Sequence, residues 1–198
     1  MKAAIRERAQ SLGFDAVGFA RADIALDEEH AHYLEFLERG MHGSMDWLAR
    51  SADVRHRLDT PDILEGAKSV ICLARRYARP DEQHEAPEGS LAHGIARYAR
   101  GRDYHTGLRD RVRKLAAFVR TLGPDVQARP MVDTAPVLER AWAARSGMGF
   151  VGKHGLLIVP GQGSYSLLAE VVTTLDLPPD EPISQRCGSC TRCLDACP

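Results

Sequence analysis

Four cysteines crowded into the last twelve residues constrain this chain more than any other feature. Cys187, Cys190, Cys193 and Cys197 follow the spacing C-x2-C-x2-C-x3-C, and Pro198 comes next. That is the bacterial ferredoxin spacing for a 4Fe–4S cluster. Three thiolates two residues apart wrap one face of a cubane. The fourth, followed by proline, usually ligates a second cluster, so a second cysteine run is expected to complete the set; the 198 residues contain none. A zinc site more often shows two Cys/His pairs separated by ~12 or more residues. Structural zinc and plain surface thiols are the bland alternatives. The spacing favours an electron-transfer protein or the reducing half of a redox enzyme.

The fifth cysteine, Cys72, lies inside KSVICLA and reads as a small buried apolar residue. Cysteines gathered at one end argue against a secreted disulfide scaffold, which would spread them along the chain. Met1 to Gln10 is charged and lacks the apolar core and cleavage site of a secretory signal. No apolar run approaches the ~20 residues that span a bilayer. The expectation is a cytoplasmic protein with no membrane partner, and a monomer. With 26 basic residues against 27 acidic, overall charge speaks neither for nor against nucleic acid. Apolar residues make up 44%, enough for a real core.

Read for local structure, Ala3–Leu12 is a helix stopped by Gly13, Asp15–Ala20 a short strand and Leu26–Arg39 a second helix ended by Gly40. Lys68–Ala74 is a buried strand, and Arg79–Ser90 a Pro- and Gly-rich loop. Tyr104–Leu122 is the clearest helix: Leu108, Val112, Leu115, Val119 and Leu122 form one apolar stripe, with Gly123 and Pro124 beyond it. Arg129–Val132 reads as a strand. Ala135–Ser146 reads as a helix entered through Asp133 and Thr134, with Pro136 in its first turn. Gly155–Val159 is a strand, and Leu167–Thr174 fits helix or strand. The alternation predicts an α/β, or α+β, layered domain over residues 1–176. Residues 177–198 then form a proline-rich linker and the first half of a ferredoxin-like iron–sulfur domain.

Four further segments are too polar and glycine-rich to be scaffold alone: GMHGSMDWL at Gly40–Leu48, RYARGRDYH at Arg97–His105, VDTAPVLE at Val132–Glu139, and GMGFVGK at Gly147–Lys153, with Gly163-Ser164-Tyr165 following. With LGFDAVGFA at Leu12–Ala20 and the cysteine run, they stand in the order found in the bacterial epoxyqueuosine reductases, which the sequence resembles along essentially its whole length. The resemblance implies a cobalamin-binding domain, a ferredoxin-like domain with two 4Fe–4S clusters, and a C-terminal helical-repeat region outside these residues. It also implies reduction of epoxyqueuosine to queuosine at the wobble position of tRNA, with tRNA as partner and a separate electron donor. Tyr165 stands where the family often has Trp, and Ala169 where it often has Gly.

Side chains cannot supply the two electrons that remove an epoxide oxygen, but a cofactor can. The proton donor should be a carboxylic acid kept protonated by burial. The resemblance assigns that role to Asp133 of VDTAP. On the residues alone, Asp133 is a helix N-cap. Asp103 either caps the helix from Tyr104 or orients substrate, and Tyr104 stacks on it or donates a hydrogen bond. A D-x-H-x-x-G motif would bring a histidine to cobalt. Here the glycine falls at Gly107 rather than at the next position, so His105 is placed among the cofactor-binding residues without ligating the metal. Gly147, Gly149 and Gly152 ahead of Lys153 fit neither phosphate-loop pattern and read as close backbone approach to a flat cofactor. Lys153 and Ser164 would then bond its amides or nucleotide tail, with Arg97 and His56 as further cofactor-binding candidates.

Arg97 to Lys114 carries seven basic residues against Asp103 and Asp110, a local excess of five positive charges. That suits an RNA backbone or simply a solvated helix face. Two rival readings remain at this level. A cobalamin reductive dehalogenase relative would share the cofactors but usually adds an export signal. A plain ferredoxin-like carrier would not need the 186 residues ahead of the cysteines.

Overall fold

The computed structural model describes residues 1–78 and 89–197. Most of the expected loop at Arg79–Ser90, and Pro198, lie outside them. The chain starts with α1 (Lys2–Ser11), which ends where Gly13 turns left-handed at φ 83°, a conformation that costs glycine little. β1 (Ala16–Arg21) follows, then α2 (Asp27–Glu38), a short α3 (Asp46–Arg50) and β2 (Ser69–Arg76). After the undescribed stretch come α4 (Tyr104–Arg120), β3 (Ala128–Met131), α5 (Glu139–Arg145), the hairpin strands β4 (Phe150–Val151) and β5 (Leu157–Ile158), and β6 (Ser166–Thr173). A last turn, α6 (Arg192–Asp195), carries Cys193.

The main sheet runs β1-β2-β6-β3, and every neighbouring pair is antiparallel. The alternation of helices and strands therefore does not build the parallel βαβ units of an α/β fold; the architecture is α+β. Leu167–Thr174 resolves as strand. Its run Leu-Leu-Ala-Glu-Val-Val-Thr suits a central strand buried on both faces.

Two-residue periodicity divides the sheet into two cores. Val17, Phe19, Ile71, Leu73, Ala169 and Val171 face α1 and the apolar stripe of α4. Ala20, Val70, Cys72, Ala74 and Val172 face the other way, onto Trp142 and Ala143 of α5. Complete burial of each large aliphatic side chain contributes ~1.5–3 kcal/mol. Cys72, fully buried in that second core, is structural as expected. Gly18 of β1 lies so close to Ser146 that an added Cβ would collide with its hydroxyl and carbonyl oxygens. This close approach brings the end of α5 onto the sheet.

The helix predicted at Ala135–Ser146 forms only from Glu139. Asp133 sits at φ 42°, and residues 133–138 make bends, with Thr134 N–H donating to Val132 O and Val137 N–H to Ala135 O. Burying Val137 in the second core and keeping Asp133 left-handed outweigh the helical propensity of this stretch. The expected linker is also tied down at its start. Leu177 is buried, and Asp180 N–H donates to Phe19 O while its carboxylate accepts from Phe19 N–H and pairs with Lys2 at 2.6 Å and Arg6 at 2.5 Å. Among the described residues no helix is long and apolar enough to cross a membrane.

Candidate active site

The loop after β3 and the start of α4 meet at one edge of the sheet. Asp103 caps α4, its Oδ1 accepting from His105 N–H at 2.9 Å, so the capping role read from the sequence is real. The same oxygen lies 2.6 Å from His105 Nδ1, and His105 Nε2 lies 2.9 Å from Asp133 Oδ2. An imidazole is thus held between two carboxylates. The bond to Asp133, then that to Asp103, raises the His105 pKa above the ordinary value, while the His105 bonds hold Asp103 below its own.

Asp133 does not cap a helix. Its backbone N–H donates to Glu139 Oε1 at 2.8 Å and its carboxylate turns to His105. The expectation that burial encloses this acid is not met by the chain itself, since 52% of the Asp133 side chain is exposed. The more enclosed acid beside it is Glu139, partly buried on the cavity wall.

Asp133, Glu139, Tyr104 and Ser164 line a cavity of about 380 Å³. Tyr77, on the same wall, meets Tyr165 and Tyr98 edge-on at 5.7 and 6.1 Å, and Tyr98 meets Tyr104 at 5.9 Å. Burial, then the Asp133 charge, pushes the Tyr104 hydroxyl up to about 12. Tyr104 therefore stays protonated and able to donate. Its ring stacks on the neighbouring His105 at 4.1 Å. Arg97 lies over the Tyr165 ring at 5.5 Å and supports this aromatic wall from outside.

Two expected site residues lie elsewhere. His56 stacks on His30 at 4.6 Å and lies 2.7 Å from Asp27, at the start of α2. Lys153 donates to the carbonyl oxygens of Gly188 and Cys190, at 2.8 and 3.1 Å, and so grips the cysteine loop rather than the cavity. The glycines ahead of it serve packing within the protein. A Cβ at Gly147 would strike Glu181 O, one at Gly149 would strike Ile158 O, and one at Gly152 would strike the Ile158 side chain. The close approach read from the sequence as one to a flat cofactor is here an approach to the chain's own atoms, backbone at Gly147 and Gly149 and side chain at Gly152.

The donor sets suit the expected groups in chemistry. All four C-terminal cysteines are free thiols at or near the surface, as cluster ligands would be. Among the described residues no three metal-binding side chains converge on one point. On the cavity wall, the buried Ser166 hydroxyl has no hydrogen-bond partner among the described residues, and Ser164 is bonded to His154 Nε2 at 3.0 Å. An unsatisfied hydroxyl beside an aromatic wall fits a ligand rich in amides and hydroxyls.

Sequence reasoning missed two carboxyls. Glu139 stands within the quoted segment VDTAPVLE but was absorbed into a helix. Glu170 is fully buried in β6, with neither oxygen bonded among the described residues. A single acid inside an apolar strand was the available signal.

A family model described as "Epoxyqueuosine reductase QueG, DUF1730" matches residues 57–134, the stretch that carries Asp103, His105 and Asp133. The epoxyqueuosine reductase of Gloeobacter violaceus is 45% identical over 197 residues, covering 99% of this chain and 59% of that protein. The chain is thus similar to epoxyqueuosine reductases along nearly its whole length. A crystal structure of selenomethionine-labelled epoxyqueuosine reductase superposes with a TM-score of 0.86 at 33% identity, covering all of this chain and 52% of that one. Another, of epoxyqueuosine reductase with an epoxyqueuosine-modified tRNA-Tyr stem loop, gives 0.85 at 32% identity over 99% of this chain and 51% of that one. This chain therefore spans about three-fifths of that curated relative and about half of the solved structures. A B12-dependent reductive dehalogenase shares the fold at a TM-score of 0.55 and 20% identity, over 92% of this chain and 20% of that one.

Proposed function

We propose that this chain carries the reducing site of an enzyme that converts epoxyqueuosine to queuosine in tRNA, with cobalamin in the Tyr104–Ser164 cavity and 4Fe–4S chemistry at Cys187, Cys190, Cys193 and Cys197. The observation that carries the reading is the placement of Asp133. It is an acid on a left-handed loop, held by His105 and Glu139 at the rim of an aromatic cavity.

Cobalamin, when bound, supplies the two electrons that the protein cannot. The chain's own residues do the rest. Asp133 delivers a proton to the epoxide oxygen. His105, anchored by Asp103, aims the Asp133 carboxyl and returns its proton. Tyr104 donates a hydrogen bond while remaining neutral. Tyr77, Tyr98 and Tyr165 give flat apolar surface against which a large planar ligand can pack. Arg109 and Arg113, exposed on α4 near this edge, supply positive charge for an RNA backbone. Lys153 holds the cysteine loop near the domain, which keeps electron donor and acceptor close.

The test is anaerobic reconstitution with cobalamin, iron and sulfide, followed by reaction with epoxyqueuosine-containing tRNA and nucleoside analysis. Queuosine formed in proportion to reduced protein is the expected result. A protein that retains both cofactors yet leaves the epoxide intact refutes the assignment. Reversing the charge of Arg109 and Arg113 together should weaken tRNA binding and flatten its salt dependence by about two units of slope.

A further inference from the structure

Reducing an epoxide to an alkene consumes two electrons and two protons. The first C–O bond opens, the second breaks, and the oxygen departs as water. Asp133 accounts for one proton. A second donor must reach the same oxygen or its hydroxyl before the alkene can form.

The structure holds a second acid at that place. Glu139 opens α5, lines the same cavity as Asp133, and accepts the Asp133 backbone N–H at 2.8 Å. Its charged and titratable surroundings come from every side: Asp133 from the loop, Arg55 from the turn at 53–56, Arg140 next to it on α5, Tyr104 from α4, Cys72 from β2 and Glu170 from β6. Neither arginine neutralises it directly. Arg55 Nη1 donates to Val137 O and Arg140 Nη1 to Gly155 O, and no ion pair joins Glu139 to a cation among the described residues. Burial pushes Glu139 up to about 7; its bond from Asp133 N–H opposes that, and the Asp133 charge adds to it. Glu170 lies behind, fully buried, its carboxyl held well above the usual range by burial and then by Glu139. Charging two adjacent carboxyls, one of them fully enclosed, is strongly disfavoured: Glu170 keeps its proton and Glu139, on the cavity wall, exchanges its own near neutral pH.

We propose that Glu139 is the second proton donor of the reaction, acting after Asp133 on the same oxygen. The inference rests on the epoxide-reductase reading. The proton held by His105 passes through the Asp133 carboxyl to the epoxide oxygen as the first C–O bond opens. Glu139 O–H then protonates the resulting hydroxyl as the second C–O bond breaks. The two electrons, supplied by a low-valent cobalt corrinoid, end in the new π bond. Water leaves and both carboxylates are reloaded from solvent.

Infrared difference spectroscopy of the folded protein, titrated across neutral pH, reads the proton directly. A protonated-carboxyl band should vanish as pH rises through neutrality, be missing in Glu139→Gln, and titrate at lower pH in Asp133→Asn, where the neighbouring charge is gone. In the protein loaded with corrinoid and cluster, Glu139→Gln should keep its corrinoid spectrum while single turnover slows by about a hundredfold, with part of the rate restored in Glu139→Asp. Turnover by a wild-type protein whose Glu139 is already ionised, or a wild-type rate in Glu139→Gln, overturns this role alone. A wild-type protein that shows the band and never reduces the epoxide overturns the reaction assignment, and this role with it. If Glu139→Gln fails to fold, the Asp133→Asn shift and the Glu139→Asp rate decide.

Discussion

His105 Nε2 lies 2.9 Å from Asp133 Oδ2, joining the first turn of α4 to the left-handed loop that follows β3. Two elements distant in sequence thereby share one proton-handling unit. The imidazole fixes the direction of a carboxylate that is otherwise half exposed.

That contact predicts a pH dependence with a definite sign. The folded-state pKa of His105 is raised above its ordinary 6.5, chiefly by Asp133 and then Asp103. The paired state is therefore complete below that ordinary value and is lost as pH rises through the higher folded pKa. Histidine NMR titration should place His105 above the reference, and Asp133→Asn should move it back down. His105→Ala should lower turnover by about 10- to 100-fold while cobalamin binding persists.

Glu139 predicts the opposite kind of profile from that of an ordinary surface acid. Its folded pKa, about 7, lies above the unfolded 4.5, so the native state binds the extra proton. Stability is highest below the unfolded value and falls as pH climbs through the folded one, by on the order of 3 kcal/mol. Urea melts at a series of pH values should show that decline, and Glu139→Gln should flatten it.

Lys153 predicts a change confined to the cysteine loop. Lys153→Met removes the donor to Gly188 O and Cys190 O but keeps the aliphatic stem. Alkylation of Cys187 and Cys190 should quicken severalfold, and iron–sulfur reconstitution should become less complete, with an unchanged melting profile for the domain. Mass-spectrometric thiol labelling reads the first effect.

Gly18→Ala predicts a cost in packing alone. The new methyl would run into the Ser146 hydroxyl and carbonyl at the end of α5. Overpacking of this kind costs roughly 1–3 kcal/mol. Chemical denaturation should show that loss at an unchanged slope.

The amino-acid sequence by itself determined the local pieces. The apolar stripe of α4, the cap at Asp103, the buried run around Cys72 and the cysteine spacing were all legible, because each depends on residues a few positions apart. Asp133 and Tyr104 were legible as site residues only through the order of whole motifs. What the sequence left open was decided between distant segments. The sheet became antiparallel because strand pairing is settled by long-range register, not by alternation of element types. The helix around residue 135 shortened because Val137 found a core to fill and Glu139 found the Asp133 N–H. His56 and Lys153 left the cavity for partners that no spacing rule could foretell. Only the tertiary structure enclosed Glu170 fully beside the partly buried Glu139, and desolvation, which depends on three-dimensional enclosure, is what shifts their protons.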